Sequence, residues 1–375
     1  MPTVDPGLEH VLVGRSAITL VAGETGGLVY RGYPIGSLVP GTTYEAAVHL
    51  LLRGSAPSES RPEEVRRTLG ARRPLEPRLA EMLAGLPTDV APLDAMRTLV
   101  SAMGDRRFAY PPSEPQGFAL IGAFPTLLAG FVRRSQGLEP VPPSPERGHA
   151  EDYLRMLTGS TPAPERVHAL EDYLVLLADH GMNASTFALR VVLSTNSDFI
   201  SAVTAAIGAL KGPAHGGAPS RVSDMLDAVG DPSRSEAWVR SALARGERLF
   251  GFGHRAYKTE DPRGLLLHRI ARTIAPPRRL ALAEAVERAA LEALSREKPG
   301  RRLYTNVEFY SAVVLEAVGL PRELFTPTFA VARTAGWTAH ALEQAKENRL
   351  IRPDVEYTGG THALWPIPRS WDVPE

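Results

Sequence analysis

The sequence predicts an all-α fold, divided into two domains, with one small β-hairpin near its N-terminus. Three observations carry that expectation. Apolar residues recur at spacings of three and four through most of the chain, in segments bounded by proline and glycine. Strand-like alternation is confined to one short stretch. A chain of 375 residues with 43% hydrophobic content can bury a substantial core and exceeds the usual size of a single domain.

The hairpin comes first. Residues 17–21 and 28–31 flank the turn-forming Ala22-Gly23-Glu24-Thr25-Gly26-Gly27. A helix follows, opened by a threonine cap at Thr42-Thr43, carried by Ala46, Val48, Leu50, Leu51 and Leu52, and closed by Arg53-Gly54. Residues 93–103, 120–132, 170–178 and 187–193 repeat the pattern. Pro111-Pro112-Ser113-Glu114-Pro115 and Pro140-Val141-Pro142-Pro143-Ser144-Pro145 read as turns or surface connectors, too short for a flexible tether. The pairs Arg66-Arg67 and Arg72-Arg73 read as solvated helical faces.

Composition excludes several function classes. The 42 basic and 42 acidic residues cancel, so no global field draws the chain to nucleic acid or to an anionic membrane. With no cysteine there is no disulfide scaffold, thiolate nucleophile or thiolate metal site. No basic stretch leads into an apolar run at the N-terminus, and no window approaches the ~18 to 20 continuous apolar residues that span a bilayer. A cytoplasmic location is the resulting expectation, and any anionic ligand must be met by local arginines.

Three segments each place one titratable side chain in a setting suited to chemistry. Gly212-Pro213-Ala214-His215-Gly216-Gly217 surrounds an imidazole with small or rigid residues, and reads either as a place where backbone and imidazole approach a ligand or as a glycine-rich turn with an incidental histidine. Gly251-Phe252-Gly253-His254 repeats the arrangement, with Arg255, Tyr257, Lys258 and Arg263 nearby. It is no dinucleotide fingerprint, because the third glycine would fall on Ala256; its glycines suit an adenine or carbonyl ligand against exposed backbone. In Asn306-Val307-Glu308-Phe309, a solvated carboxylate is the ordinary outcome for a single glutamate, and the apolar neighbours weaken it. Asp179-His180-Gly181-Met182-Asn183-Ala184-Ser185-Thr186 reads as a helix break with Asn183 or Ser185 as the next cap. Arg333 lies in an otherwise apolar helix and needs a partner, either a core salt bridge or a substrate carboxylate; Arg352 is ambiguous in the same way. Two imidazoles and a carboxylate can abstract a carbon-bound proton, hold an enol and polarise a second carbonyl.

Taken together these motifs resemble the citrate synthase family. The likeness runs from Gly7-Leu8-Glu9 and Ser16-Ala17-Ile18 through Tyr30-Arg31-Gly32-Tyr33, Pro92-Leu93-Asp94-Ala95-Met96-Arg97-Thr98 and Asn183-Ala184-Ser185-Thr186. It continues through the His215, His254 and Glu308 segments to Ala332-Arg333-Thr334-Ala335-Gly336-Trp337 and Arg352-Pro353, which is essentially the whole chain.

The resemblance implies a multi-helical homodimer of two-domain subunits. Residues 1–212 and 320–375 would form the large domain, and residues 213–319 a small domain that closes over the site. The extra N-terminal region of the larger, NADH-inhibited hexameric members is not seen, which favours the dimer. It implies acetyl-CoA and oxaloacetate as substrates, with no permanently bound cofactor and coenzyme A thioester as co-substrate. His215 would hold the thioester oxygen, the carboxylate at 308 remove a methyl proton, and His254 polarise the ketone. His180, Arg263 and Arg333 would bind oxaloacetate, Arg352 would reach in from the partner subunit, and Gly251, Phe252 and Gly253 would meet the CoA moiety. Propionyl-CoA, giving 2-methylcitrate, is the neighbouring chemistry. The family has aspartate where this chain has Glu308, and an added methylene moves a carboxylate by about 1.5 Å, whereas a ~1 Å misplacement can cost on the order of 100-fold in rate. Impaired or altered catalysis is therefore the alternative. Asp354, where many relatives have arginine, and Pro219 are further departures.

Overall fold

Sixteen α-helices and one three-stranded antiparallel sheet are present among residues 4–8, 11–58, 61–297 and 303–360, which the computed structural model describes. Glu9 of the N-terminal motif lies outside them. The helices are α1 (Ile35–Leu38), α2 (Tyr44–Arg53), α3 (Arg61–Arg72), α4 (Pro77–Gly85), α5 (Pro92–Ala102), α6 (Glu114–Ser135), α7 (His149–Thr158) and α8 (Pro164–Leu177). They continue as α9 (Ala184–Ser194), α10 (Phe199–Lys211), α11 (Ala218–Val229), α12 (Ser235–Ala244), α13 (Pro262–Ile274), α14 (Pro277–Glu297), α15 (Val307–Val318) and α16 (Phe325–Lys346). The chain divides into a unit of residues Ser16–Leu350 and a second made of the two chain ends. Among its described residues the end unit has one 3-10 turn, Pro6–Leu8, and otherwise lacks regular structure.

Local chemistry accounts for the helix ends. Thr43 accepts the amide of Ala46 at 3.2 Å, and Gly54 closes α2 at φ +83°, a conformation that favours glycine. Asn183 caps α9 by accepting the amides of Ser185 and Thr186. Helix α6 runs further than the apolar pattern alone suggests. Ser113 and Gln116 form a capping box, Pro115 sits in the first turn where its missing N–H costs nothing, and Pro125 is tolerated inside. By length and composition α6 alone among the described helices could cross a bilayer, but 83% of its apolar window is buried in the molecule, and it serves as a core helix beside the equally long α16.

Two expectations need correction. The hairpin strands are β1 (Thr19–Ala22) and β2 (Gly27–Tyr30), with Ala22 facing Gly27, so the turn is shorter than expected, and a third strand β3 (Tyr33–Pro34) joins β2. Arg73 is not solvated. It is fully buried, with Nη1 donating to the carbonyls of Ser144 and Arg147 and to Asp152 at 3.1 Å, because the chain turns inward just beyond α3.

The hairpin braces two later segments of the chain. The Tyr30 hydroxyl donates to the carbonyl of Asp179 at 2.8 Å, and the Lys258 amide donates to the carbonyl of Gly23 at 2.9 Å. A Cβ on Gly23 would lie 2.1 Å from the carbonyl oxygen of Ala256, so that residue must be glycine for the turn to meet this loop.

Candidate active site

His254 is held by backbone on both sides. Gly251 and Gly253 adopt φ of +85° and +79°, which lets the loop fold back on residues 304–306. There Gly253 donates to the carbonyl of Tyr304 at 2.7 Å and the Asn306 amide donates to the carbonyl of Gly251 at 2.9 Å. Phe252 turns inward, buried, with its ring 5.2 Å from that of Phe309. Nδ1 of His254 accepts the amides of Ala256 at 2.9 Å and Tyr257 at 3.3 Å. The neutral ring therefore carries its proton on Nε2, a directional donor. Burial, then Arg263, holds its pKa down at about 4 against the pull of Asp261.

His180 completes an aromatic cluster with this loop. Its ring lies 5.4 Å from that of His254, and its Nε2 is 3.1 Å from the Tyr257 hydroxyl. Burial and then the charge of Arg263 depress its pKa far below the usual value, so it too is neutral near pH 7. His215 sits before α11 with Nε2 2.9 Å from the Ser185 hydroxyl, which also accepts the indole N–H of Trp337 at 3.2 Å. Burial and then Arg333 hold its pKa at about 4.

The two buried arginines differ. Arg263, in the first turn of α13, gives Nε and Nη2 to Asp261 at 3.1 and 2.8 Å, so Asp261 occupies one edge of its fork. Arg333 is 1% exposed, gives Nε to the Leu177 carbonyl at 2.8 Å and stacks on Phe329 with 4.6 Å to the ring centre. Its two terminal nitrogens find no hydrogen-bond partner among the described residues. A guanidinium in this state can donate to an anion with two oxygens. Burial lowers its pKa to about 10, still fully charged, with Asp179 the chief opposing influence.

Glu308 lies in the first turn of α15. Its amide donates to the Asn306 side-chain oxygen at 2.9 Å; Nδ2 of Asn306 donates to the Gly253 carbonyl at 2.9 Å and reaches a Glu308 carboxylate oxygen at 3.5 Å. Asn306 thus joins the His254 loop to the helix that carries Glu308. Burial raises the Glu308 pKa to about 7, against the pull of Arg248 and Arg263. A carboxylate so placed is a usable base near neutral pH.

Electrostatic reach ties the group together, since His180 feels Arg263, His254, Arg333 and His215, and Glu308 feels Arg263. Arg352 belongs to the end unit, where its side chain is exposed and 4.0 Å from Asp354. Sequence reasoning missed Asn306, Asp261 and Tyr257 as structural partners. Asx caps two residues before Arg263 and Glu308 were the available signal for the first two. It also missed the buried Asp179, His340 and Arg190 cluster, whose members are far apart in sequence.

Comparison with known proteins agrees across the chain. The model of the citrate synthase C-terminal domain matches residues 7–354. The chain is 39% identical over 368 residues to a citrate synthase of Mycolicibacterium smegmatis, covering 96% of both chains. It is 37% identical over 370 residues to 2-methylcitrate synthase 2 of Corynebacterium glutamicum, covering 95% of both. The fold is similar, with a TM-score of 0.91, 29% identity and coverage of 98% of this chain and 99% of the other, to the Thermoplasma acidophilum citrate synthase in ternary complex with carboxymethyl coenzyme A and oxaloacetate.

Proposed function

The chain belongs to the citrate synthase family, and from that premise we propose that it condenses acetyl-CoA with oxaloacetate and hydrolyses the product to citrate and CoA. It is an acyl-transferring enzyme; the substrate pair and the residue roles are our proposal. The observation that carries it is Arg333, a buried cation whose two terminal nitrogens have no partner among the described residues and whose charge acts on His180 and His215, both neutral near pH 7. A dicarboxylate suits it, with His180 and Arg263 taking further oxygens.

In this reading Glu308 removes a methyl proton of acetyl-CoA while His215 supports the oxygen of the resulting enol. The methyl carbon then bonds to the ketone carbon of oxaloacetate, and the ketone oxygen takes a proton from Nε2 of His254. Water cleaves the thioester, and CoA leaves as a thiol. Each step moves protons and electron pairs only. The pKa of about 7 at Glu308 suits a base for this work, and the Nδ1 contacts of His254 suit a donor from Nε2. The glycines at 251 and 253 expose backbone to the CoA moiety. Residues 213–319 act as the closing domain, and Arg352 is supplied across a homodimer in the cytoplasm.

The test is CoA release by the purified protein, followed as free thiol with acetyl-CoA and with propionyl-CoA. Release that requires oxaloacetate and is faster with acetyl-CoA supports the proposal. Preference for propionyl-CoA would transfer it to 2-methylcitrate synthesis, the activity named for the Corynebacterium glutamicum relative. Binding of both ligands without turnover would reduce it to a silent paralogue.

A further inference from the structure

We propose that Glu287, on α14, is a positioning residue for Glu308. Its carboxylate spans the helix start that carries Glu308, accepting the Thr305 hydroxyl on one oxygen and the Tyr310 hydroxyl on the other, each at 2.5 Å. Thr305 immediately precedes the cap residue Asn306, and Tyr310 lies one turn into α15, so the two donors bracket Glu308 along the chain. Tyr310 is buried and stacks on His268 of α13, with centroids 4.3 Å apart and planes 12° from parallel, and His268 in turn meets Glu284 of α14 at 2.9 Å. The ring that Glu287 holds is therefore fixed on a second side.

The same point carries the His254 loop. Thr305 pairs with Phe252 as an isolated antiparallel bridge, and Asn306 donates to the Gly253 carbonyl. Glu287 thus fixes the place where the segment bearing the ketone donor is bonded to the helix bearing the base. Two short hydroxyl–carboxylate bonds are strong and directional, and their loss lets the first turn of α15 shift against α14. Because Glu308 is one methylene longer than the aspartate usual in the family, its reach depends on where that turn is held.

This inference rests on Glu308 acting as the base. The variant Glu287→Gln keeps the shape but loses the charge and one acceptor. Its turnover number for CoA release should fall about 10-fold, with the KM for oxaloacetate within about twofold, since a sub-ångström displacement of the base alters chemistry rather than dicarboxylate binding. In a Glu308→Asp background the same substitution should cost less than about threefold, because the contacts then position a group already withdrawn. Equal losses in both backgrounds, or an unchanged turnover number, would overturn the proposal. Tyr310→Phe removes one donor while keeping the stacked ring; it should give the same pattern more weakly, and serves if Glu287→Gln fails to fold. A parent protein that binds oxaloacetate but never releases CoA would sink the proposed function instead. The bracket would then be read by hydrogen exchange: faster exchange at residues 306–310 in Glu287→Gln supports the anchoring, and unchanged exchange rejects it.

Discussion

His340 and Asp179 meet at 3.3 Å, Nε2 to Oδ2, with both side chains fully buried. Arg190 donates to the other ring nitrogen of His340 at 3.1 Å, so Nε2 is the ring nitrogen that faces Asp179 as donor. Asp179 also accepts the Gly181 amide at 2.9 Å. Burial pushes its pKa up, but His340 and then Arg333 more than offset this and hold it at about 2. The pair therefore stabilises the chain turn that presents His180. Replacing Asp179 by Asn removes a charge-assisted bond and should cost about 2 kcal/mol in urea unfolding at pH 7. An unchanged midpoint would show that the contact contributes nothing.

That pair was invisible in the sequence, and the reason is general. Periodicity and caps reported local structure, which is why α2 ends at Gly54 and α9 begins after Asn183 as expected. A two-residue strand such as Tyr33–Pro34 carries no alternation to read. Arg73 looked solvated because arginine usually is; its burial depends on carbonyls more than seventy residues away. The candidate site was legible wherever glycine or an apolar run surrounded a titratable side chain, as at His215, His254 and Arg333. The supporting residues Asp179, His340 and Glu287 were not, because a long-range hydrogen bond leaves no spacing signal.

The titrations of Glu308 and the histidines give a pH signature. With Glu308 at about 7, the rate at limiting substrate should rise about tenfold per pH unit below 7 and level off above it. Stability runs the other way for this group. Between its ordinary 4.5 and about 7 the folded protein holds a proton that the unfolded chain releases, so its contribution is present at low pH and lost as pH rises through 7. His215 and His254, held near 4 instead of 6.5, contribute stability above 6.5 that is lost as pH falls toward 4. Urea titrations of Glu308→Gln should show its stability gaining on the parent between pH 4.5 and 7, then running parallel. A constant difference across that range would refute the assignment.

Arg333 sets binding against stability. Its terminal nitrogens are buried without protein partners among the described residues, so Arg333→Met should leave stability within about 1 kcal/mol of the parent or raise it, despite the lost bond to Leu177. Oxaloacetate at 100 times its Kd should stabilise the parent by about 2.7 kcal/mol and the variant not at all. Thermal unfolding with and without oxaloacetate decides it, and an equal ligand shift in both proteins would remove Arg333 from the site.

Gly251 is required for steric reasons as well as for its φ of +85°. A Cβ there would lie 2.8 Å from Cβ of Phe309, the residue after Glu308. Gly251→Ala should cost about 2 kcal/mol from strained backbone alone, and it should depress turnover more than oxaloacetate binding because the clash falls on α15. A variant as stable and active as the parent would show that the loop has room to move.

Replacing Glu308 by Asp tests whether the site is matched to its own acid. The shorter side chain withdraws the carboxylate by about 1.5 Å, enough to cost on the order of 100-fold in turnover if the base must reach a fixed methyl group. The backbone cannot readily follow, because Asn306 is bonded to Gly251 and Gly253, Thr305 and Tyr310 are held by Glu287, and the Val307 amide donates to Asp261 at 3.2 Å. These contacts fix the first turn of α15 from three directions, so the expected outcome is a loss of turnover with little change in the KM for oxaloacetate. A gain in turnover would mean that the turn is held where an aspartate reaches better, and that the parent protein is a slowed member of its family.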